Sequence, residues 1–404
     1  MTGQIQFTVK PELLGTLGTL ARTPVSIISP FNYGKGNISG PEGIAQLAGL
    51  GICNAQGTLL PDKKDAVSTL ARADAFTRIY LTTPQGVMEY IAYFAPEGTI
   101  ASVINDDGKQ IITFPAPNKD MLMRIRQTIG FSIYKNGSFE AHLTRGETLV
   151  LSAMIDLQRK EMLRKFSDGN TATRLVHTPP AISAMLEIPP GNFQWLSSTF
   201  IDLFSRDRIP KPDAIGSILA SLAGKGLAKR EGNGYTLSDD GFLLSRGHLL
   251  PSMYLTMTSG KATSSGKTNI AGFSCIIGGI HDLLFIDYNG DDIELRSVAS
   301  AEIHEYVSAF LKDATVIAKL DPVSQKIPPT SKEALTKIKN FCPSCGAPLL
   351  APFKFCNNCG MAVSQAAEKM TDRKSQLCPQ CGTPVTHGMQ FCRTCGKKAD
   401  NKNE

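Results

Sequence analysis

Eight of the ten cysteines lie after residue 340 in two copies of one pattern, and no other feature restricts local folding as tightly. FCPSCGAPLLAPFKFCNNCG supplies Cys342, Cys345, Cys356 and Cys359; LCPQCGTPVTHGMQFCRTCG supplies Cys378, Cys381, Cys392 and Cys395. Both read C-x2-C-x10-C-x2-C, and each cysteine returns 36 residues later. So short a segment cannot bury a core of its own. Two residues between thiolates let one turn aim both sulfurs at a single ion, and a second such turn across a short hairpin completes a tetrahedron. The glycine after each second cysteine (Gly346, Gly360, Gly382, Gly396) suits a turn that needs positive φ. Phe341, Phe355 and Phe391 precede knuckles and can shield the metal. Only Cys53 and Cys275 lie elsewhere, so the pattern favours reduced thiols holding metal over disulfides. Those two are read as small core residues.

The tail resembles the tandem double zinc ribbon family over both four-cysteine sets. The resemblance implies two small structural Zn²⁺ sites and a protein- or nucleic-acid-binding module. Four thiolates per site leave no open coordination position, so neither site is expected to be catalytic, and His387 is expected to be exposed rather than a ligand. Charge is as uneven as cysteine: residues 1–320 sum to zero and residues 321–404 carry the whole net charge of +6. Each four-thiolate Zn²⁺ site carries a charge of about −2, which brings the tail down to about +2. The basic pI of 8.7 therefore overstates any attraction to nucleic acid.

Ahead of the ribbons the chain repeats itself. QLAGLGI at 46–52 returns as SLAGKGL at 221–227, RIYLTT at 78–83 as SMYLTM at 252–257, and YIAYF at 90–94 as NIAGF at 269–273. The order is kept and the offset is nearly constant, which is the mark of an internal repeat. In the first copy, strand candidates RIYLTT, VMEYIAYFA, TIASVIN and KQIITF are separated by PQG, PEG and NDDG turns, and the helical NKDMLMRIRQTIG follows. The second offers MYLTMT, TNIAGFSCII, DLLFIDY and DIELRS, then the helical AEIHEYVSAFLK. Upstream, DAIGSILASLAGKGLAKREGNGYTLSDDGFLLSRG has a winged-helix rhythm, with a Gly226 stop, a glycine-tipped hairpin and a helix capped near Ser238. EGIAQLAGLGICNAQGTLLPDKKDAVSTLARADAF has the same elements, and each half is expected to open on a strand and helix, QIQFTVKPELLGTLGTL and TRLVHTPPAISAML. The expected fold class is α+β: an internally duplicated, pseudo-two-fold body, each half a winged-helix-like part plus an antiparallel meander. The divisions are 1–166 and 167–320 for the repeats, 321–340 for a linker, and 341–361 and 377–397 for the ribbons.

TSGKATSSGKTNIAG, Thr258 to Gly272, imitates a nucleotide-binding P-loop. A P-loop needs four residues between its glycines and a helix after the Lys-Thr pair. Here five residues separate Gly260 from Gly266, and Lys267-Thr268 runs into the β-branched NIAGFSCII. The equivalent loop of the first copy, TPQG, has no lysine. The stretch reads as a hairpin connection, with Lys261 and Lys267 as solvated charges that can touch an acidic partner.

No other stretch reads as a catalytic set, and the chain is expected not to be an enzyme. His281-Asp282 reads as a turn, the cluster Asp287, Asp291, Asp292 and Glu294 lacks calcium-loop spacing, and Trp195 reads as core. A DNA reader presents basic residues on its helix and wing. Lys225, Lys229 and Arg230 are followed closely by Glu231, Asp239 and Asp240, and Lys63 and Lys64 are flanked by Asp62 and Asp65. A protein partner is therefore preferred, with a DNA-binding regulator as the alternative. MTGQIQFTVKPELL lacks the n- and h-regions of a signal peptide, and NIAGFSCIIGGIHDLLFIDY is broken by His281 and Asp282, so a cytoplasmic chain without membrane insertion is expected. In the order strand, helices, meander, helix, twice over, the body resembles the EspG-type chaperones of type VII (ESX) secretion. RIYLTTPQGVMEYIAYFAPEGTIASVI and SFEAHLTRGETLVLSAM carry that resemblance, which implies a substrate-binding chaperone.

Overall fold

The computed structural model describes residues 3–33, 38–106, 108–170, 173–187, 194–204, 206–289 and 291–314, and four two-residue strands beyond them. The chain divides into two compact units, Met1–Gln325 and Lys326–Glu404. The first unit begins with β1 (Ile5–Val9), α1 (Leu14–Leu20), α2 (Gly40–Gly49), α3 (Pro61–Arg72), β2 (Ala75–Thr83), β3 (Gly86–Phe94), β4 (Ile100–Asp106), β5 (Lys109–Phe114) and α4 (Asn118–Ile129). Next come β6 (Glu140–Leu143), α5 (Arg145–Ser167), α6 (Pro179–Leu186), α7 (Leu196–Phe204) and α8 (Pro212–Gly224). It closes with β7 (Ala228–Glu231), β8 (Gly234–Leu237), α9 (Asp239–Gly247), β9 (Met253–Ala262), β10 (Thr268–Gly279), β11 (Asp282–Asn289), β12 (Asp292–Val298) and α10 (Ser300–Lys312).

Ten of these strands make one antiparallel sheet in the order β1-β5-β4-β3-β2-β9-β10-β11-β12-β6. From either edge inward the sequence of roles is the same: a strand that precedes the helices, then a meander from last strand to first. The α+β class is therefore present, with helices segregated to the two faces of an antiparallel sheet.

Strand alternation divides the core. On one face Ala75, Ile79 and Leu81 of β2 and Met253, Leu255 and Met257 of β9 pack under α4 and α10 in a single cluster. Both helices carry apolar residues at helical spacing, Met121, Ile125 and Ile129 on one and Ile303, Val307 and Phe310 on the other. The opposite face has two separate cores at its ends. Ile91, Tyr93, Val103 and Ile112 pack under α1 and α3, whereas Ile276, Leu284, Ile286 and Leu295 pack under α5 through α9. α5 is the axis of that second group, and its Leu149–Ile155 stretch is buried on every side. A capping box starts it: Thr144 Oγ1 accepts from Glu147 N–H (3.3 Å) and Thr144 N–H donates to Glu147 Oε2 (2.8 Å).

TRLVHTPPAISAML does not form the expected strand and helix. The edge strand at this end of the sheet is β6, which precedes α5 and pairs with β12 as β1 pairs with β5. Residue 166, where the division was expected, lies inside α5. Only α6 forms in the expected stretch, and ahead of it His177 makes one bridge to Tyr235 of β8 (N···O 2.7 and 2.9 Å). The rhythm of SFEAHLTRGETLVLSAM holds the physical reason, a short alternating segment followed by the T-x-x-E capping box.

His177 is 1 % exposed, and neither ring nitrogen has a hydrogen-bond partner. Burial holds its pKa down to about 4 from the ordinary 6.5. Above pH 6.5 the ring is neutral in both states; between 6.5 and 4 the unfolded chain takes up the proton first. The folded state should therefore lose about 3 kcal/mol over that interval. His248 and His304, whose pKa values burial also lowers, act in the same direction. Urea midpoints measured from pH 7 to 4 should fall steeply, and His177→Leu should flatten the slope; an unchanged slope would remove His177 from the account.

Candidate functional site

The central junction of the sheet joins β2 to β9, and the same tripeptide stands on both sides of it. Tyr80 faces Thr256, Leu81 faces Leu255 and Thr82 faces Tyr254, so Tyr-Leu-Thr pairs antiparallel with Tyr-Leu-Thr. The two leucines point into the core beneath α4 and α10. Tyr80, Thr82, Tyr254 and Thr256 point to the other face, into the strip between the two helix-covered cores. Tyr254 packs against the edge of the second core, but Tyr80 belongs to neither.

This strip is half-buried and has both charge and aromatic surface. Arg78 Nε lies 3.2 Å from Glu89 Oε1, and its guanidinium sits over the rings of Phe76 (5.9 Å) and Tyr80 (5.8 Å). Asn105 also donates to Glu89. Burial, with the Glu89 hydrogen bond second, raises the Tyr80 pKa, so its hydroxyl is a neutral donor at physiological pH. Across the junction Tyr254 Oη donates to Ser274 Oγ (3.0 Å), which is 3.2 Å from Thr256 Oγ1. Gly260 stands opposite Phe76, where any Cβ would strike the ring, so glycine lets that ring lie flat on β9. Beneath the sheet Thr77 Oγ1 bonds Ser259 Oγ (2.8 Å) and donates to Phe310 O (2.9 Å), which ties the junction to α10. Exposed Val87 and Ile270 mark the ends of the strip. Its groups are suited to holding a polypeptide surface through aromatic and hydroxyl contacts.

TSGKATSSGKTNIAG forms the β9–β10 hairpin, whose ladder runs from Met253↔Ile277 to Ala262↔Thr268. Thr263 closes the tip: its N–H donates to Lys267 O (2.7 Å) and its Oγ1 accepts from Lys267 N–H (3.1 Å), while Gly266 supplies φ 74°. Lys267-Thr268 leads into a strand, and no helix N-terminus faces a phosphate there.

The other groups singled out in the sequence are spread over the fold. Cys53 and Cys275 are buried, and burial raises both thiol pKa values. Trp195 packs on the second core beneath the Arg159 guanidinium (5.4 Å). His281 Nδ1 lies 3.0 Å from Ser132 Oγ, but Ser132 also bonds Tyr134, and the neighbouring Asp282 accepts from Asn136, so the group closes a chain crossing. The acidic cluster is partly balanced by cations, Arg145 on Asp291 (3.0 Å) and Arg296 on Glu294 (2.9 Å), and His142 Nδ1 lies 3.9 Å from Asp292. Burial, with Glu294 nearby, raises the pKa of Asp287. Of the basic set, Lys225 is held by Glu147 (2.8 Å) and Lys229 lies 3.7 Å from Asp239. The outer face of α8 shows Gly216, Ser217 and Ala220. Sequence reasoning missed Asp156 and Arg159 of α5, a fully buried pair at 2.6 Å. The signal was an i,i+3 acid and base inside the otherwise apolar VLSAMIDLQRK.

In the second unit the described residues are β13 (Asn340–Phe341) paired with β14 (Pro348–Leu349), and β15 (Gln376–Leu377) paired with β16 (Pro384–Val385). Each hairpin spans the first C-x2-C of its ribbon, in the same register 36 residues apart. The eight cysteines and His387 lie outside the described residues. Two four-thiolate donor sets, read from the cysteine spacing, fit tetrahedral Zn²⁺. Residues 342–396 match the double zinc ribbon family, which implies zinc binding by this tail. The match leaves the body untouched, and nothing found lends weight to the EspG-type resemblance. No curated protein matches the chain significantly. Among the described residues no helix is long and apolar enough to cross a membrane, and no group of His, Cys, Asp and Glu is placed to hold a metal.

Proposed function

We propose that this chain is a non-enzymatic protein-binding adaptor with chaperone-like use of its body, and that its zinc ribbons recruit a second partner. The observation that carries the reading is the Tyr-Leu-Thr self-pairing at the centre of the sheet. It supports an internal duplication whose pseudo-two-fold axis passes through Leu81 and Leu255, with Tyr80 equivalent to Tyr254. Fusion of two α+β halves edge to edge leaves the strip between their helical groups as the surface that neither half has alone. The α8, β7–β8 and α9 elements, with the His177 bridge, are read as a winged-helix-like module used for protein contact. Net neutrality of residues 1–320 and the ion pairs of Lys225 and Lys229 weigh for a protein partner over DNA. In the tail, Cys342, Cys345, Cys356 and Cys359 are assigned one structural Zn²⁺, and Cys378, Cys381, Cys392 and Cys395 a second.

The full chain should retain a discrete protein on affinity purification from its native cell, and the double variant Arg78→Ala/Tyr80→Ala should weaken that complex roughly 30-fold or more. Changing Lys225, Lys229 and Arg230 to alanine should leave it intact. Loss of salt-sensitive DNA binding in that triple variant, with the protein complex indifferent to Arg78 and Tyr80, would instead support the regulator.

A further inference from the structure

The two outer edges of the ten-stranded sheet are built differently. β6 is four residues long, carries Glu140 and His142, and gives the His142 carbonyl to Lys225 Nζ at 3.0 Å. Shortness, charge and a side chain on the edge carbonyls are the usual protections against pairing with another chain. β1, Ile-Gln-Phe-Thr-Val, is one residue longer and carries no charge and no proline, and among the described residues its only ladder partner is β5. Gln6 and Thr8 are exposed along it. The sequence is also self-complementary. Antiparallel pairing about Phe7 sets Ile5 against Val9 and Gln6 against Thr8, with no like charges opposed. The chain already uses this mode once, since its halves join by pairing one tripeptide with itself.

We propose that the chain forms a homodimer by antiparallel pairing of β1 with β1 of a second copy, giving a sheet that continues across the two-fold axis. Leu50, which is 51 % exposed, and Lys10 line a cleft of about 690 Å³ at the end of β1, beside which the Gly3–Gln6 stretch of the second copy would pass. The neutral charge of residues 1–320 opposes no such approach.

Light scattering on the full chain should give twice the monomer mass at about 100 μM, the upper range in which weak edge pairing is populated. Gln6→Lys/Thr8→Lys sets like charges across the edge and should return the monomer mass with an unchanged melting curve. If that variant fails to fold, Gln6→Cys/Thr8→Cys decides, because the paired register brings position 6 of one copy against position 8 of the other within disulfide reach. It should cross-link into covalent dimers under mild oxidation, whereas Gln6→Cys alone should not. A monomer mass for the unaltered chain, a dimer indifferent to the lysines, or equal cross-linking by the single and double cysteine variants would overturn the proposal.

Discussion

Removing zinc from the full chain with a strong chelator is expected to unfold the tail and leave the body intact. Metal analysis before treatment should give two Zn²⁺ per chain, and Cys342→Ser/Cys345→Ser should reduce the content to one. In units this small, binding energy is folding energy, about 10–16 kcal/mol of apparent stabilisation per structural site. Trypsin should then cut rapidly beyond residue 326, where lysine is frequent, while the first unit resists and its far-UV signal is unchanged. Full metal content in the double serine variant would contradict the ligand assignment, and loss of body structure on chelation would contradict the independence of the units.

Asp156→Ala should be the most damaging single change in the body. Asp156 is fully buried on α5 and holds the first turn of α7: its Oδ1 accepts from Leu196 N–H (3.1 Å), and its Oδ2 from Ser197 N–H (2.8 Å) and Oγ–H (2.7 Å). It also pairs with Arg159, which is 2 % exposed and reaches on to the carbonyls of Gln194 (2.6 Å) and Leu249 (3.1 Å). Alanine there strands a buried cation and two helix-end N–H groups together. Breaking one side of such a pair costs about 3–5 kcal/mol. Trp195, the only tryptophan, sits under Arg159, so its fluorescence should report the lower urea midpoint directly. Replacing both members, Asp156→Leu/Arg159→Met, should recover much of the loss, because no charge is then left alone. A single variant as stable as the parent would show the pair to be dispensable.

The meanders were legible because turn residues punctuate alternating strands: all eight strand candidates fall on strands of the sheet, and both closing helices form. The β6–α5 stretch was not. β6 is only four residues long, so its alternation is brief, and α5 is buried on all sides in its middle, which erases the helical period there. The likeness of RIYLTT to SMYLTM was visible, but sequence similarity does not reveal that the strands carrying these stretches pair with each other. Edge-to-edge pairing is a tertiary fact, set by Leu81 and Leu255 sharing one core beneath α4 and α10. For the same reason the strip carrying Arg78, Tyr80 and Thr256 was invisible, since each residue alone reads as an ordinary strand residue. The proposed metal ligands stand at the opposite extreme: spacing alone nominated all eight cysteines, and the double zinc ribbon match covers the segment that holds them.

The proposed function requires the strip over the β2–β9 junction to hold a protein. A benzophenone side chain in place of Tyr80, irradiated in the native cell, should give one discrete protein adduct, abolished by Arg78→Ala. A benzophenone in place of Arg230 on β7 that captures a partner or DNA, while position 80 captures nothing, would contradict it.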